Sequence, residues 1–137
     1  MLHQAAKIAE QAHRGQKDKT GRPYIEHLRR VADAVETLDE KTVAYLHDVV
    51  EKGEGWSLDR LHDAGFGLPV VAAVDALTRR MDEGEEGFLC RAVSSELALP
   101  VKLADLRDNL WQAHQAGVAP GKYEAGLAIL DRLDSRD

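Results

Sequence analysis

Two adjacent ionisable residues, His47 and Asp48, stand inside an otherwise apolar stretch at residues 43–50. Burying both in a helix is unfavourable by several kcal/mol unless another group neutralises or hydrogen-bonds them. A divalent metal ion would do so, because neutral imidazole and carboxylate are both good ligands for such ions. Glu51 lies four residues after His47 and three after Asp48, hence on the same helix face and within reach of a metal-activated water. The alternative is a hydrogen-bonded core histidine with an acidic neighbour.

Two further residues could complete a metal site. His27 lies on the preceding predicted helix, where its side chain could point inward, and Asp105 lies near the start of a later apolar helix. Asn109 shares the face of Asp105 at i+4. Alone, His27 would be a surface or core histidine, and Asp105 an acid that favours the positive end of a helix dipole. Together the side chains from three inward-looking helices predict one divalent metal site, formed by His27, His47, Asp48 and Asp105.

Four ordered segments of the chain carry a family resemblance: AHRGQ (12–16), GRPYIEH (21–27), LHDVVE (46–51) and VKLADLRDN (101–109). They resemble the hydrolase domain of the RelA/SpoT proteins and the small alarmone hydrolases, a group within the HD superfamily. The segment GLPVVAAVDALTRR (67–80) is similar to the family's stretch after the HD helix. The resemblance covers about residues 5–115. It implies an all-α fold, a single-domain helical bundle of the HD-domain type spanning residues 1–137.

The resemblance also implies roles for individual residues. Glu51 matches the first of two acids that help to activate water, and Asn109 matches a residue near the bound nucleotide. Tyr24 and Lys19 match positions beside the nucleotide pocket. The cationic side chains that could hold a pyrophosphate group are Lys17, Lys19 and Arg22. The metal ligands, typically for one Mn²⁺ ion, match His27, His47, Asp48 and Asp105.

Three positions depart from the family's pattern. Lys52 stands where the family has the second acid, which reverses the local charge. Asp18 stands where an arginine packs on guanine in the alarmone hydrolases, and a carboxylate cannot stack on a base as a guanidinium can. Leu28 replaces a proline after the first ligand histidine, and we expect this change to affect only the local backbone. We hypothesise that Lys52 contacts a substrate phosphate, and we count it with Glu51 as a candidate catalytic residue.

In the enzymes that this chain resembles, a metal-activated water attacks the phosphorus at the nucleotide's 3′ position and releases pyrophosphate. The resemblance therefore implies a metal-dependent phosphohydrolase, similar to guanosine-3′,5′-bis(diphosphate) 3′-pyrophosphohydrolases, with a small phosphorylated nucleotide as substrate. One alternative is an HD phosphatase of nucleoside monophosphates or other small phosphorylated metabolites. Another is a catalytically silent nucleotide- or metal-binding module, which Lys52 and Asp18 favour. A helical scaffold without chemistry would leave the buried polar groups unexplained.

Apolar residues at helical spacing predict that the candidate residues are carried by a set of helices, with no convincing strand. Pro23 suits the first position of the helix that carries His27, and Asp39 is predicted to cap the helix that carries His47. Ser57 is predicted to cap a short helix, and residues 79–87 to form a charged loop. The predicted helices span residues 2–14, 23–38, 40–52, 58–64, 69–78, 88–97, 100–115 and 120–133.

Composition narrows the class of protein further. Hydrophobic residues make up 44% and charged residues 31% of the 137 residues, a globular balance. The net charge of −6 argues against a general nucleic-acid binder, yet residues 1–30 hold seven basic and three acidic side chains and could attract a small anion. The single Cys90 excludes an internal disulfide, and no apolar run could span a bilayer or form a signal-peptide core. We expect a cytoplasmic protein without nucleic-acid or membrane partners. Formation of a homo-oligomer is possible, and the sequence does not decide the oligomeric state.

Overall fold

The computed structural model describes residues 1–135 of the chain, and this part is built from α-helices. An isolated antiparallel bridge between Lys17 and Pro23 closes the loop after the first helix, and no strand occurs among the described residues. No helix in this part is both long and apolar enough to cross a membrane. The predicted all-α fold is therefore confirmed. In chain order the helices are α1 (Leu2–Ala12), α2 (Tyr24–Asp33), α3 (Leu38–Leu46), α4 (Val49–Lys52), α5 (Leu58–Asp63), α6 (Leu68–Ala76), α7 (Glu85–Val93), α8 (Ala98–Ala116) and α9 (Gly121–Asp134).

The central element of the core is α3, which packs against α1, α2, α6 and α8. Its side chains Val43, Ala44 and Leu46 are fully buried. The long helix α8 contributes to this main cluster through its first half and to a second apolar cluster through Leu106. This second cluster joins α7 and α9 to the rest of the fold. Because α8 takes part in both clusters, it fixes the position of α7 and α9 relative to α3.

The start of α3 differs from the sequence prediction. The predicted helix 23–38 ends as α2 at Asp33, and Thr37 precedes the first residue of α3. Thr37 Oγ1 accepts a hydrogen bond from the Glu40 backbone N–H at 3.0 Å, and the Glu40 carboxylate accepts one from the Thr37 backbone N–H at 3.3 Å. This capping box pairs two donors that helix geometry leaves free. The prediction that Asp39 caps the helix is wrong, because Thr37 takes that position and Asp39 falls in the first turn.

The predicted helix 40–52 is interrupted at His47 and Asp48, between α3 and α4. Asp48 has φ −104° and ψ −2°, outside the range of a regular helix. His47 Nδ1 bonds the Ala44 carbonyl oxygen at 2.6 Å, which holds the imidazole against the end of α3. Neighbouring side chains in a regular helix diverge around the axis. The break lets both His47 and Asp48 be buried in the core, at 2% and 7% exposed.

Other helix boundaries shift by a few residues. α7 begins at Glu85, three residues earlier than predicted, because acidic side chains in a first turn favour the positive end of the helix dipole. α8 begins at Ala98, before the predicted start at Pro100. The predicted cap at Ser57 is confirmed, since its Oγ accepts a hydrogen bond from the Arg60 backbone N–H at 3.1 Å.

Gly53 ends α4 and lies against α1. A Cβ atom there would stand 2.5 Å from the Val49 carbonyl oxygen and 2.8 Å from the Ala12 Cβ. Gly53→Ala should therefore lower the free energy of unfolding by about 1–3 kcal/mol through overpacking, as measured by urea denaturation. Gly121→Ala is the matched control, because no atom lies within 4 Å of a Cβ at that position. Equal stability of the two variants would contradict the close approach of α4 to α1.

Candidate metal centre

Four buried side chains converge between α2, the junction of α3 and α4, and α8: His27, His47, Asp48 and Asp105. Each offers one candidate ligand atom, and these atoms all lie within 4.8 Å of one another. Nε2 of His27 and Nε2 of His47 lie 3.1 and 3.3 Å from the same Asp105 Oδ1. His47 Nε2 also lies 3.2 Å from Asp48 Oδ2. The structure thus brings together the four residues that the sequence singles out for a metal site.

Hydrogen bonds fix how the two imidazoles face this cluster. His47 Nδ1 donates to the Ala44 carbonyl oxygen at 2.6 Å, and His27 Nδ1 donates to Asp108 Oδ2 at 2.6 Å. A carbonyl or carboxylate oxygen only accepts, so each Nδ1 carries a proton. Both Nε2 atoms consequently point toward Asp105, where each can hold either a second proton or a metal ion.

The electrostatics of the cluster are those of a cation site. Burial by itself would lower the pKa of His47, but the carboxylates of Asp48 and Asp105 raise it to about 10. Burial would raise the pKa of Asp48, yet the neighbouring His47 holds that pKa well below its usual range. The pKa of Asp105 is also lowered against the effect of burial, first by Lys102 and then by the two histidines. Protons on the imidazoles balance the carboxylates here, and a divalent cation bound to two nitrogen and two oxygen donors fits in their place.

Asp48 is also held at Oδ2, the oxygen that lies near His47. The Tyr24 hydroxyl donates to Asp48 Oδ2 at 2.5 Å, and Lys52 Nζ donates to the Tyr24 oxygen at 2.9 Å. Burial, followed by the nearby carboxylates, raises the pKa of Tyr24, so the hydroxyl keeps its proton. The Tyr24 hydroxyl therefore bridges the Lys52 ammonium group and the carboxylate of Asp48, a candidate metal ligand.

Asp105 is held by residues of its own helix. Lys102 Nζ lies 3.1 Å from Asp105 Oδ2, and Asn109 Nδ2 donates to Asp105 Oδ1 at 3.1 Å. The Asn109 side-chain oxygen accepts a hydrogen bond from Lys19 Nζ at 2.7 Å. Lys19 belongs to the loop between α1 and α2, so this contact connects that loop to the rim of the cluster.

The cluster opens into a pocket of about 270 Å³. Cations and carboxylates both line it, and the side chains of Phe88 and Tyr123 form part of its wall. Glu51 is exposed at this surface, beside Asp48. The charged side chains of the lining are Lys19, Asp48, Glu51, Lys52, Arg79, Glu85, Lys102, Asp105 and Lys122.

The residues predicted to bind substrate or act in catalysis are not all in this pocket. Tyr24 lies behind Asp48 and reaches the site through its hydroxyl group. Lys17 is exposed outside the lining, and the Arg22 guanidinium lies over the Trp111 ring, 5.8 Å from its centroid. The predicted residues that line the pocket are Lys19, Glu51, Lys52 and Asn109.

Several lining residues are absent from the predicted site, among them Arg79, Lys102, Lys122 and Tyr123. Lys102 precedes Asp105 by three residues, so helix periodicity could have placed it on the same face. Arg79 falls in the segment 67–80, at the start of the predicted charged loop, where the sequence assigns it no role in the site. Lys122 and Tyr123 lie on α9, outside every motif, and the packing of α9 against α7 and α8 brings them to the pocket. No local sequence signal identifies them.

Asp18 has a structural role in the loop between α1 and α2. Its side chain is fully buried, and its Oδ1 accepts hydrogen bonds from the Thr20 backbone N–H at 2.9 Å and from the Arg22 backbone N–H at 3.1 Å. Arg30 pairs with Oδ2 at 2.9 Å. The pKa of Asp18 is lowered because these hydrogen bonds outweigh the effect of burial. The side chain therefore faces the loop interior rather than the pocket.

The chain is similar to several known proteins over most of its length. It is 34% identical over 122 residues to the GTP pyrophosphokinase of Streptomyces coelicolor, covering 80% of this chain and 14% of that protein. It is 31% identical over 124 residues to the guanosine-3′,5′-bis(diphosphate) 3′-pyrophosphohydrolase of Vibrio cholerae, covering 80% of this chain and 17% of that protein. The chain thus spans less than a fifth of the length of these two relatives.

A solved structure agrees with the fold. It was described as a metazoan ortholog of SpoT that hydrolyzes ppGpp and plays a role in starvation responses. The two structures superpose with a TM-score of 0.80 at 24% sequence identity, covering 96% of this chain and 84% of the other. The HD domain family matches residues 5–96, which include His27, His47 and Asp48. This match covers more than half of the sequence, and the chain therefore belongs to the HD domain family.

Proposed function

We propose that this chain is a metal-dependent phosphohydrolase of the guanosine-3′,5′-bis(diphosphate) 3′-pyrophosphohydrolase type, which releases pyrophosphate from a phosphorylated nucleotide. The observation that carries this proposal is the buried cluster of two histidines and two aspartates at the base of a cation-lined pocket. The names of the Vibrio cholerae relative and of the metazoan structure support the same substrate class. A cytoplasmic location, a homo-oligomer and a single domain over residues 1–137 stay predictions of the sequence.

The metal ion of this proposal is held by His27, His47, Asp48 and Asp105. When bound, a divalent ion lowers the pKa of water and offsets negative charge on a phosphate group. Two neutral imidazole nitrogens and two carboxylate oxygens form a mixed donor set that suits Mn²⁺ among other divalent transition metals. We propose Mn²⁺ as the ion, in line with the family resemblance of the sequence.

The position of Glu51 supports a role as proton acceptor. It lies at the pocket surface next to Asp48, outside the cluster of four candidate ligands. A carboxylate that is near the reacting groups but does not hold the metal can orient water and take up its proton. We therefore assign the general-base role to Glu51.

The cations of the pocket suit a substrate with several phosphate groups. Lys19 at the rim and Lys52 beside Tyr24 lie on the α1–α2 side, whereas Arg79, Lys102 and Lys122 come from later parts of the chain. Ammonium and guanidinium groups on several sides of one pocket can bind phosphates at different positions of one ligand. Tyr123 offers a ring against which a base could pack. Phosphate contacts by Lys17 and Arg22 stay predictions, since both lie outside the pocket lining.

A second candidate function is supported by Asp18 and Lys52. The buried Asp18 carboxylate leaves no guanidinium at this position to pack on guanine, and Lys52 puts an ammonium group where the family has an acid. These two differences favour another phosphorylated nucleotide or metabolite, cleaved by an HD phosphatase, or binding without turnover.

Product analysis separates these functions. Mn²⁺-loaded protein incubated with ppGpp should release pyrophosphate and leave GDP, as measured by ion-exchange chromatography. Asp105→Asn is the control, because it removes one charged donor from the cluster and should abolish the reaction. Release of orthophosphate from nucleoside monophosphates, with ppGpp left intact, would support the phosphatase. Bound metal and nucleotide without any product would support the silent module.

Glu51→Gln tests the general base. The variant should bind Mn²⁺ with unchanged affinity, because Glu51 is not among the candidate ligands, and its kcat should fall by about 10²–10⁴-fold. Glu54→Gln is the matched control, since Glu54 is exposed nearby but does not line the pocket. Full activity of Glu51→Gln in steady-state kinetics would remove this residue from the mechanism.

Metal binding should release protons. The pKa of His47 is raised to about 10, so this imidazole holds two protons at neutral pH, and the pKa of His27 is also raised. A metal ligand must be neutral imidazole, so each bound ion displaces protons and its apparent affinity increases with pH between about pH 6 and pH 8. Titration calorimetry in buffers of different ionisation enthalpy should show release of at least about one proton per ion at pH 7. An affinity that is independent of pH would contradict histidine ligation.

A further inference from the structure

We infer that Asp108 is a positioning residue for His27, and that Arg30 joins this pair to Asp18 in the loop between α1 and α2. The metal centre and the loop that carries Lys19 would then be held by one ionic network. This inference rests on the metal site of the proposed function. The network is formed by Asp18, His27, Arg30, Asp108 and Gln112.

Asp108 is fixed by donors at both carboxylate oxygens. Arg30 Nε donates to Oδ1 at 2.7 Å, and Arg30 Nη2 donates to Oδ2 at 3.1 Å. Oδ2 also accepts hydrogen bonds from Gln112 Nε2 at 2.7 Å and from His27 Nδ1 at 2.6 Å. Asp108 therefore lies behind the His27 ring, on the side away from Asp105, and has no free oxygen with which to hold a metal ion itself.

A carboxylate in this position determines how a ligand histidine behaves. It keeps the proton on Nδ1, orients the ring and increases the basicity of Nε2, the atom that faces the cluster. Asp108 can exert these effects on His27, and its carboxylate also adds a negative charge close to the candidate metal centre. Loss of such a carboxylate commonly weakens metal binding by about 10–100-fold.

Arg30 extends the network to the loop. Its Nη2 donates to Asp18 Oδ2 at 2.9 Å, and Asp18 Oδ1 accepts hydrogen bonds from Thr20 and Arg22. One guanidinium group thus serves two carboxylates, one on α8 and one in the loop. A fork of planar N–H donors suits such a contact better than a lysine ammonium group does.

Gln112 forms a second connection between the same two parts. Its Nε2 donates to Asp108, while its Oε1 accepts a hydrogen bond from the Lys19 backbone N–H at 3.0 Å. Gln112 is 1% exposed, so this amide is held in a single environment. The Lys19 ammonium group reaches the pocket from a backbone position that is tied to Asp108. Because coupling between sites is reciprocal, metal binding should stabilise the loop, and a fixed loop should favour metal binding.

Mn²⁺ titration tests the role of Asp108, with free Mn²⁺ measured by electron paramagnetic resonance. Asp108→Ala should bind Mn²⁺ about 10–100-fold more weakly than the unmodified chain. Asp108→Asn keeps an oxygen that can accept from His27 Nδ1 and should lose less affinity. Asp131→Asn is the control, because Asp131 is exposed on α9, and its affinity should be unchanged. Circular dichroism checks that each variant is folded.

Amide hydrogen exchange tests the connection to the loop. Mn²⁺ should slow exchange at residues 18–22 in the unmodified chain, and saturating Mn²⁺ should no longer do so in Arg30→Lys, which keeps the charge but cannot bond both carboxylates. Equal Mn²⁺ affinity of Asp108→Ala and the unmodified chain would overturn the inference, as would equal loop protection in Arg30→Lys. Failure to hydrolyse ppGpp while these results hold would instead overturn the proposed substrate, so the two failures are distinguishable.

Discussion

Two carboxylates buried next to two imidazoles are the constraint on which the rest of this structure depends. Charges in a protein interior must be balanced and hydrogen-bonded, because an uncompensated one is strongly unfavourable. The fold meets this requirement from three directions: Tyr24 bonds Asp48, Lys102 and Asn109 bond Asp105, and Asp108 bonds His27. The interruption between α3 and α4 follows from the same requirement, since it lets two adjacent polar side chains be buried together.

Sequence reasoning predicted the helices and the four converging side chains, because helices depend on the spacing of nearby apolar residues and metal ligands are restricted to a few residue types. Apolar spacing identifies a helix wherever one face is buried. Its ends are harder to predict, since neighbouring residues compete for the cap: Thr37 and Asp39 are both good caps, and the carboxylate of Glu40 decides in favour of Thr37. The break at His47 was not predicted, because nothing in the apolar pattern of residues 43–50 marks it.

The parts of the candidate site that were missed depend on tertiary packing. Lys122 and Tyr123 reach the pocket only because α9 packs on α7 and α8. Asp18 shows the limit of reasoning from a resemblance. Its position corresponds to a base-packing arginine, but Arg30 and the turn at residues 18–22 provide partners that draw the shorter carboxylate inward. A substitution in a binding loop can therefore turn a ligand contact into part of the loop's own framework.

The charge of the pocket explains why an acidic chain can suit an anionic ligand. Five cationic and four anionic side chains line it, so the lining is close to balanced when the histidines are neutral. A bound divalent ion would add two positive charges and make the site clearly cationic, on a chain whose net charge is −6. Low-dielectric walls concentrate such a local field, whereas the distributed surface charge is screened by salt. The metal ion would then contribute to substrate binding as well as to chemistry. Binding an anion in this way requires no basic surface elsewhere on the chain.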